Sequence, residues 1–185
     1  MPREFVKLRK FAVRFNQKKE QMIYKIRVIL DAEDDIFRDL EIEAGDTLED
    51  FHNAITQSFG FTGDEMASFY TCDEAWNQLE EISLFDVNEG NADHRLMNET
   101  TLLDVLSEDS PKMIYVYDFL SMWTFFVELA DISEKVDGHS YPSLLFSFGE
   151  LPDSPPEKHF ESDPSVDFDD SLEGFDDLDF DENWN

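Results

Sequence analysis

Residues 45–60 hold the pattern that most constrains the fold of this chain. Gly45 breaks an alternating run, and Asp46 with Glu49 three residues on matches a helix-start capping box. Leu48, Phe51, Ile55 and Phe59 then recur at helical spacing until Gly60 supplies a natural stop. A helix with one apolar stripe must bury it against another element. The sequence just before it supplies one. Residues 22–30 (MIYKIRVIL) alternate well enough for a half-buried strand rich in β-branched side chains. Residues 31–35 are a polar reversal, and 36–43 (IFRDLEIE) alternate again, so the chain is predicted to open with a β-hairpin.

Beyond the helix, residues 67–72 read as a third strand and 82–85 as a weaker fourth, followed by a polar loop over 88–98. Thr101 and Asp104 repeat the start signal for a short helix with Leu102, Val105 and Leu106 facing inward. Two more strands, 113–119 and 123–129, flank a tight turn at residues 120–122. Strands and helices mix without strict alternation, which predicts an α+β fold: a mixed sheet with an opening β-hairpin and one well-defined helix. Hairpin, helix and further strands, in that order, resemble the β-grasp (ubiquitin-like) arrangement, an analogy that carries no function. The predicted organisation is a basic amphipathic lead (1–21), an α+β domain (22–132), an irregular extension holding Pro142, Pro152, Pro155 and Pro156 (133–160), and an acidic–aromatic tail expected to be disordered (161–185).

Charge separates the ends. The formal net charge is -30, yet Arg3, Lys7, Arg9, Lys10, Arg14, Lys18, Lys19, Lys25, Arg27 and Arg38 all lie early, and only Arg95, Lys112, Lys135 and Lys158 follow. Such a field repels phosphate and anionic lipid over most of the surface, so direct nucleic-acid binding by the whole chain is disfavoured. Cys72 is the only cysteine, which excludes an intramolecular disulfide and a Cys-rich zinc site and fits a reducing compartment. There is no apolar run long enough to span a membrane, and the start lacks the apolar core of a secretory signal. A soluble, cytoplasmic, acidic protein is expected.

Residues 47–61 (TLEDFHNAITQSFGF) resemble the plasmid pRiA4b Orf-3-like family, whose members run from an opening hairpin into a "TL…LH..I…FG" helix and then a strand carrying a phenylalanine, here Phe69. The family's later "Y.YDFGD.W.H…LE" stretch is similar to Tyr115, Tyr117, Asp118, Phe119, Trp123 and Leu129. A third echo joins Tyr141-Pro142, Gly149-Glu150 and Pro155-Pro156-Glu157. Three positions depart from the pattern: Leu120-Ser121 replaces Gly-Asp, Phe125 stands where His is usual, and Ser154 replaces a Cys before the paired prolines. If those family residues form a polar or metal-associated site, this chain has lost it. The resemblance implies a fold and an association with mobile DNA, without a chemical activity. The family positions to inspect are His52, Phe69, Trp76, Tyr117, Asp118 and Trp123.

The chemistry-bearing residues do not assemble into a motif. His52, His94, His139 and His159 offer no pair at metal-ligand spacing, and His52 reads first as a helix residue hydrogen-bonded to a neighbouring element. Acidic neighbours Asp73 and Glu74 suppress thiolate formation at Cys72. The acidic run around Asp167, Asp169, Ser171 and Glu173 lacks the central glycine and closing glutamate of a calcium loop. There is no phosphate-binding glycine loop and no nucleophile elbow. No enzyme, metal or cofactor is expected.

The two ends carry the interaction signals. Phe5, Leu8, Ala12 and Phe15 fall near one helical face of the lead, with its bases largely elsewhere. Such a segment can bind nucleic acid, a membrane surface or an acidic protein segment, can dock on its own domain, or can be an upstream extension. In the tail, Phe168, Leu172, Phe175, Leu178, Phe180 and Trp184 are interleaved with acids, a composition that stays solvated yet binds a groove. The leading expectation is a non-catalytic protein-interaction module whose tail binds a protein partner. The alternative is a mobile-DNA-associated role, through the basic lead or through acidic mimicry of nucleic acid.

Overall fold

The computed structural model describes residues 18–86 and 94–156. Its strands run in the order β1 (Met22–Leu30), β2 (Phe37–Glu43), β3 (Ala67–Cys72), β4 (Gln78–Ser83), β5 (Arg95–Leu96), β6 (Lys112–Tyr117), β7 (Trp123–Glu134) and β8 (Ser143–Phe148). They form one 8-stranded sheet in the spatial order β5-β4-β3-β6-β7-β1-β2-β8. Every pairing is antiparallel except β4 with β5, so the sheet is mixed. Helix α1 (Leu48–Phe59) and two 3-10 turns, Met97–Glu99 and Leu102–Asp104, complete an α+β fold.

Helix α1 starts one residue later than the Asp46/Glu49 box predicts. Thr47 is the cap: its hydroxyl accepts the Asp50 N–H, and the Asp50 carboxylate accepts the Thr47 N–H. Both frames fit the capping pattern, and tertiary contacts choose between them. The Asp46 carbonyl is taken by the Leu102 amide, and the Leu48 amide by the Thr100 carbonyl. Gly60 ends the helix at φ 84, with its N–H on the Thr56 and Gln57 carbonyls. The apolar stripe packs on one face of the sheet: Phe51 stacks on Phe69 at 5.5 Å, and Phe59 meets Phe125 with tilted rings at 4.8 Å.

The other face of the sheet turns outward. Strand register aligns Phe148, Phe37, Ile29, Phe126, Ile114 and Tyr70 in one row across it. Two residues along, Asp39, Arg27, Glu128 and Lys112 alternate in sign across β2, β1, β7 and β6. Arg27 donates to both Asp39 oxygens, at 2.7 and 2.8 Å. Cross-strand pairing of opposite charges fits an exposed antiparallel face.

Two boundaries differ from the sequence reading for one reason. β7 continues to Glu134, and the stretch 133–160, expected to be irregular, contains β8 paired with β2. The pairing shifts register between Lys25 and Ile26 against β7, and between Asp39 and Leu40 against β8. Bulges of this kind break the two-residue period from which strands are read. β4 also lies earlier than expected, because its first four residues are exposed and, Leu79 apart, polar, and only its pairing with β3 makes them a strand. Residues 1–17, 87–93 and 157–185 lie outside the described residues, which takes in most of the lead, most of the polar loop and the whole tail.

Candidate functional site

Four of the six family-motif positions converge beneath α1. His52 lies on the helix flank facing β6, 1% exposed, with Nδ1 2.7 Å from the hydroxyl of the fully buried Tyr115. Nε2 is also buried and has no hydrogen-bond partner. With the tyrosine donating to Nδ1 and the ring proton on Nε2, one polar group is left unpaired. The reverse arrangement leaves two, the tyrosine O–H and Nε2, so the first is favoured. Burial pushes the imidazole below its ordinary 6.5, opposed by the nearby Gly63 backbone, and pushes the Tyr115 hydroxyl well up.

An aromatic layer encloses this pair. Tyr115 packs on Phe69 at 4.7 Å and on Phe125 at 5.8 Å. Tyr117, two residues on and therefore on the same face, packs on Phe61 at 4.7 Å and accepts the Gly63 N–H, tying down the chain after α1. Trp123 meets Phe61 edge-on at 5.3 Å. His52, Phe69, Tyr117 and Trp123 thus share one buried layer. Phe125, which stands where the family pattern has His, is fully buried in the same layer, so a hydrocarbon ring fills that place.

Asp118 and Trp76 stand apart from it. Asp118 adopts a left-handed conformation at φ 56 and organises the β6–β7 turn, its carboxylate accepting from Leu120 N–H and the Ser121 hydroxyl. The Ser121 bond holds that carboxyl below the usual carboxylate range. Leu120, one of the departures from the family pattern, is 97% exposed at the turn's tip. Trp76 lies on the outward face, its ring against Phe126 at 4.8 Å and beneath the Lys112 ammonium at 4.7 Å. Cys72 is half-buried, and burial first, with Asp73 adding, raises its thiol pKa against the pull of Lys112. Such a thiol is a poor nucleophile.

His94 and His139 each meet a serine, Ser83 and Ser143, at 2.6 and 3.2 Å. Among the described residues no group of three His, Cys, Asp or Glu side chains converges to hold a metal ion. No helix among them is long and apolar enough to cross a membrane. The tail positions Phe168, Leu172, Phe175, Leu178, Phe180 and Trp184, and His159, lie outside the described residues.

The family model for plasmid pRiA4b ORF-3-like proteins matches residues 22–158. The chain belongs to that family. No curated protein matches it. Among solved structures it is similar to the crystal structure of a protein of unknown function, MM3350, from Methanosarcina mazei Go1, at 19% identity. The TM-score is 0.60 over 68% of each chain, which shows a shared fold. The family match covers the whole sheet, β8 included. Within this pRiA4b ORF-3-like domain the most specific motif, around α1, serves the aromatic layer.

One titration follows from that layer. An unfolded His52 takes up a proton below about 6.5, whereas the folded one resists it. Its contribution to stability is therefore complete above about pH 6.5 and is lost as the pH falls through that value toward the lower folded one. In unfolding measured from pH 7.5 to 4.5, His52→Gln is expected to flatten the acid side of the stability profile relative to the native chain. Identical slopes would contradict a neutral buried imidazole.

Proposed function

We propose that this pRiA4b ORF-3-like protein is a non-catalytic, cytoplasmic protein-interaction module whose tail, residues 161–185, binds a protein partner. One observation carries the reading: β8 is an edge strand on which Leu144, Leu145, Phe146 and Phe148 are each about half exposed (49–51%). Apolar edge strands are surfaces for strand addition or for apolar docking. The chain leaves that strand toward the acid–aromatic tail, so one partner can engage both. Burial of the His52–Tyr115 pair supports a structural role for the family motif. The likeness to a β-grasp extends, in this reading, to the opening hairpin and helix alone.

Capture of partners from a lysate of the source cell tests it, with the full chain compared with a chain ended after Ser162 and with Phe146→Lys. Loss of the same partner from both variants is the expected result. An unchanged set from the shortened chain would sink the tail's role. The family's plasmid name and the basic lead support a second reading, a mobile-DNA-associated role. That reading predicts a salt-sensitive DNA mobility shift, and no shift at low salt discards direct binding.

A further inference from the structure

A groove of about 720 Å³ opens between the start of β1, the end of β7 and residues 103–109. Its floor is apolar: Met22, Leu103 and Ile132 are partly buried and pack against the core, beside the fully buried Leu106. Its rim is acidic on balance, with Asp104, Glu108, Asp109 and Glu134 all exposed against Lys18 and Lys19 where the chain enters. The chain enters at Lys18, whose ammonium lies 3.5 Å from Glu134. An apolar floor inside an acidic rim selects a segment with an apolar stripe and flanking bases.

The segment immediately upstream has that character. Residues 1–17 contain Arg3, Lys7, Arg9, Lys10 and Arg14 against Glu4 alone, with Phe5, Leu8, Ala12 and Phe15 at helical spacing. We propose that residues 1–17 dock in cis into this groove, with the apolar positions on Met22, Leu103 and Ile132 and the bases facing the rim acids. Joined directly to the groove wall at Lys18, the segment competes at an effective concentration near the millimolar range, far above a partner free in solution. The acidic tail is a poor occupant, because like charges face it on the rim, and the same rim repels phosphate. This inference does not rest on the proposed function. It extends the folded unit upstream of the family match, which begins at residue 22.

Charge reversal in the full-length chain tests the docking without removing any segment. Glu108→Lys with Asp109→Lys changes the rim, Arg9→Glu with Lys10→Glu changes the lead, and a fourth protein carries both pairs. Hydrogen exchange is followed at low salt over residues 1–17 and 103–109. Each reversed pair alone is expected to speed exchange in both segments by up to about tenfold, the range that two weakened exposed ion pairs allow. The combined protein is expected to recover most of the lost protection, and raised salt to weaken protection in the native chain. Exchange unchanged by either pair overturns the proposal. So does protection that rises with protein concentration alongside a doubled mass in solution, because the lead would then sit in the groove of a second copy.

Discussion

Tyr115→Ala is expected to remove a large part of the fold's stability. The ring is fully buried between Phe69 and Phe125, so its removal opens a cavity in the aromatic layer beneath α1. Truncating a buried aromatic residue to alanine costs about 3–5 kcal/mol. The change also strips Nδ1 of His52 of its partner while Nε2 is already unpaired, which adds about 1–3 kcal/mol. The sum, about 4–8 kcal/mol, is comparable to the whole stability only at the low end of the ordinary range of about 5–15 kcal/mol. Tyr115→Phe isolates the hydrogen bond and is expected to cost only the second amount. Adding His52→Leu to Tyr115→Phe should return part of that loss, because no polar group then remains unpaired. Denaturant unfolding reads all three. A loss under about 2 kcal/mol for Tyr115→Ala would contradict the central place given to this ring.

Elements that keep an unbroken period were legible in the sequence. The hairpin and α1 show two-residue and helical repeats that their burial follows, whereas β3 and β6 were legible as short runs of strand-forming residues, with β6 buried almost throughout. The end of β7 and all of β8 were not legible, because each crosses a bulge that shifts side chains between faces. In β8 the run Leu144-Leu145-Phe146 straddles that shift. Pro142 before it and Gly149 after it also read as loop signals. Gly149 is needed for its turn: at φ 72, a Cβ there would stand 2.7 Å from the Asp35 carbonyl oxygen.

The buried site was half legible. The motif around α1 pointed to His52, and the spacing of Tyr115 and Tyr117 puts both on one face of β6, a signal that could have named Tyr115 as the histidine's partner. Trp76 could not be placed, because its positive-φ turn sends it to the opposite face of the sheet. The groove at Lys18 draws on three stretches far apart in the chain, and no local pattern marks such a meeting. Charge counting also misled in one instance. Arg38 belongs by composition to the basic front, yet its side chain is internal.

Arg38→Met is expected to release β8. The Arg38 residue is 6% exposed, with its guanidinium over the Phe59 ring at 4.5 Å. Nε donates to the Ser58 carbonyl at 3.0 Å, and Nη1 to the carbonyls of Phe37 and Phe148 at 2.8 Å and of Gly149 at 3.2 Å. One fork thus ties the last turn of α1, where carbonyl dipoles favour a cation, to β2 and to the exit of the edge strand. Burial pulls its pKa down, but a guanidinium stays charged in proteins, so the carbonyls always meet a cation. Methionine fills similar space and donates nothing, so four carbonyls lose a cationic donor at a cost of about 3 kcal/mol. Arg38→Lys should recover less than half, since a single ammonium cannot span acceptors on three elements. Hydrogen exchange gives the sharper reading: the β8 amides should lose protection first in Arg38→Met, well below the denaturant that unfolds α1. If β8 and α1 lose protection together, the edge strand is held by its pairing with β2, and the arginine is one contact among many.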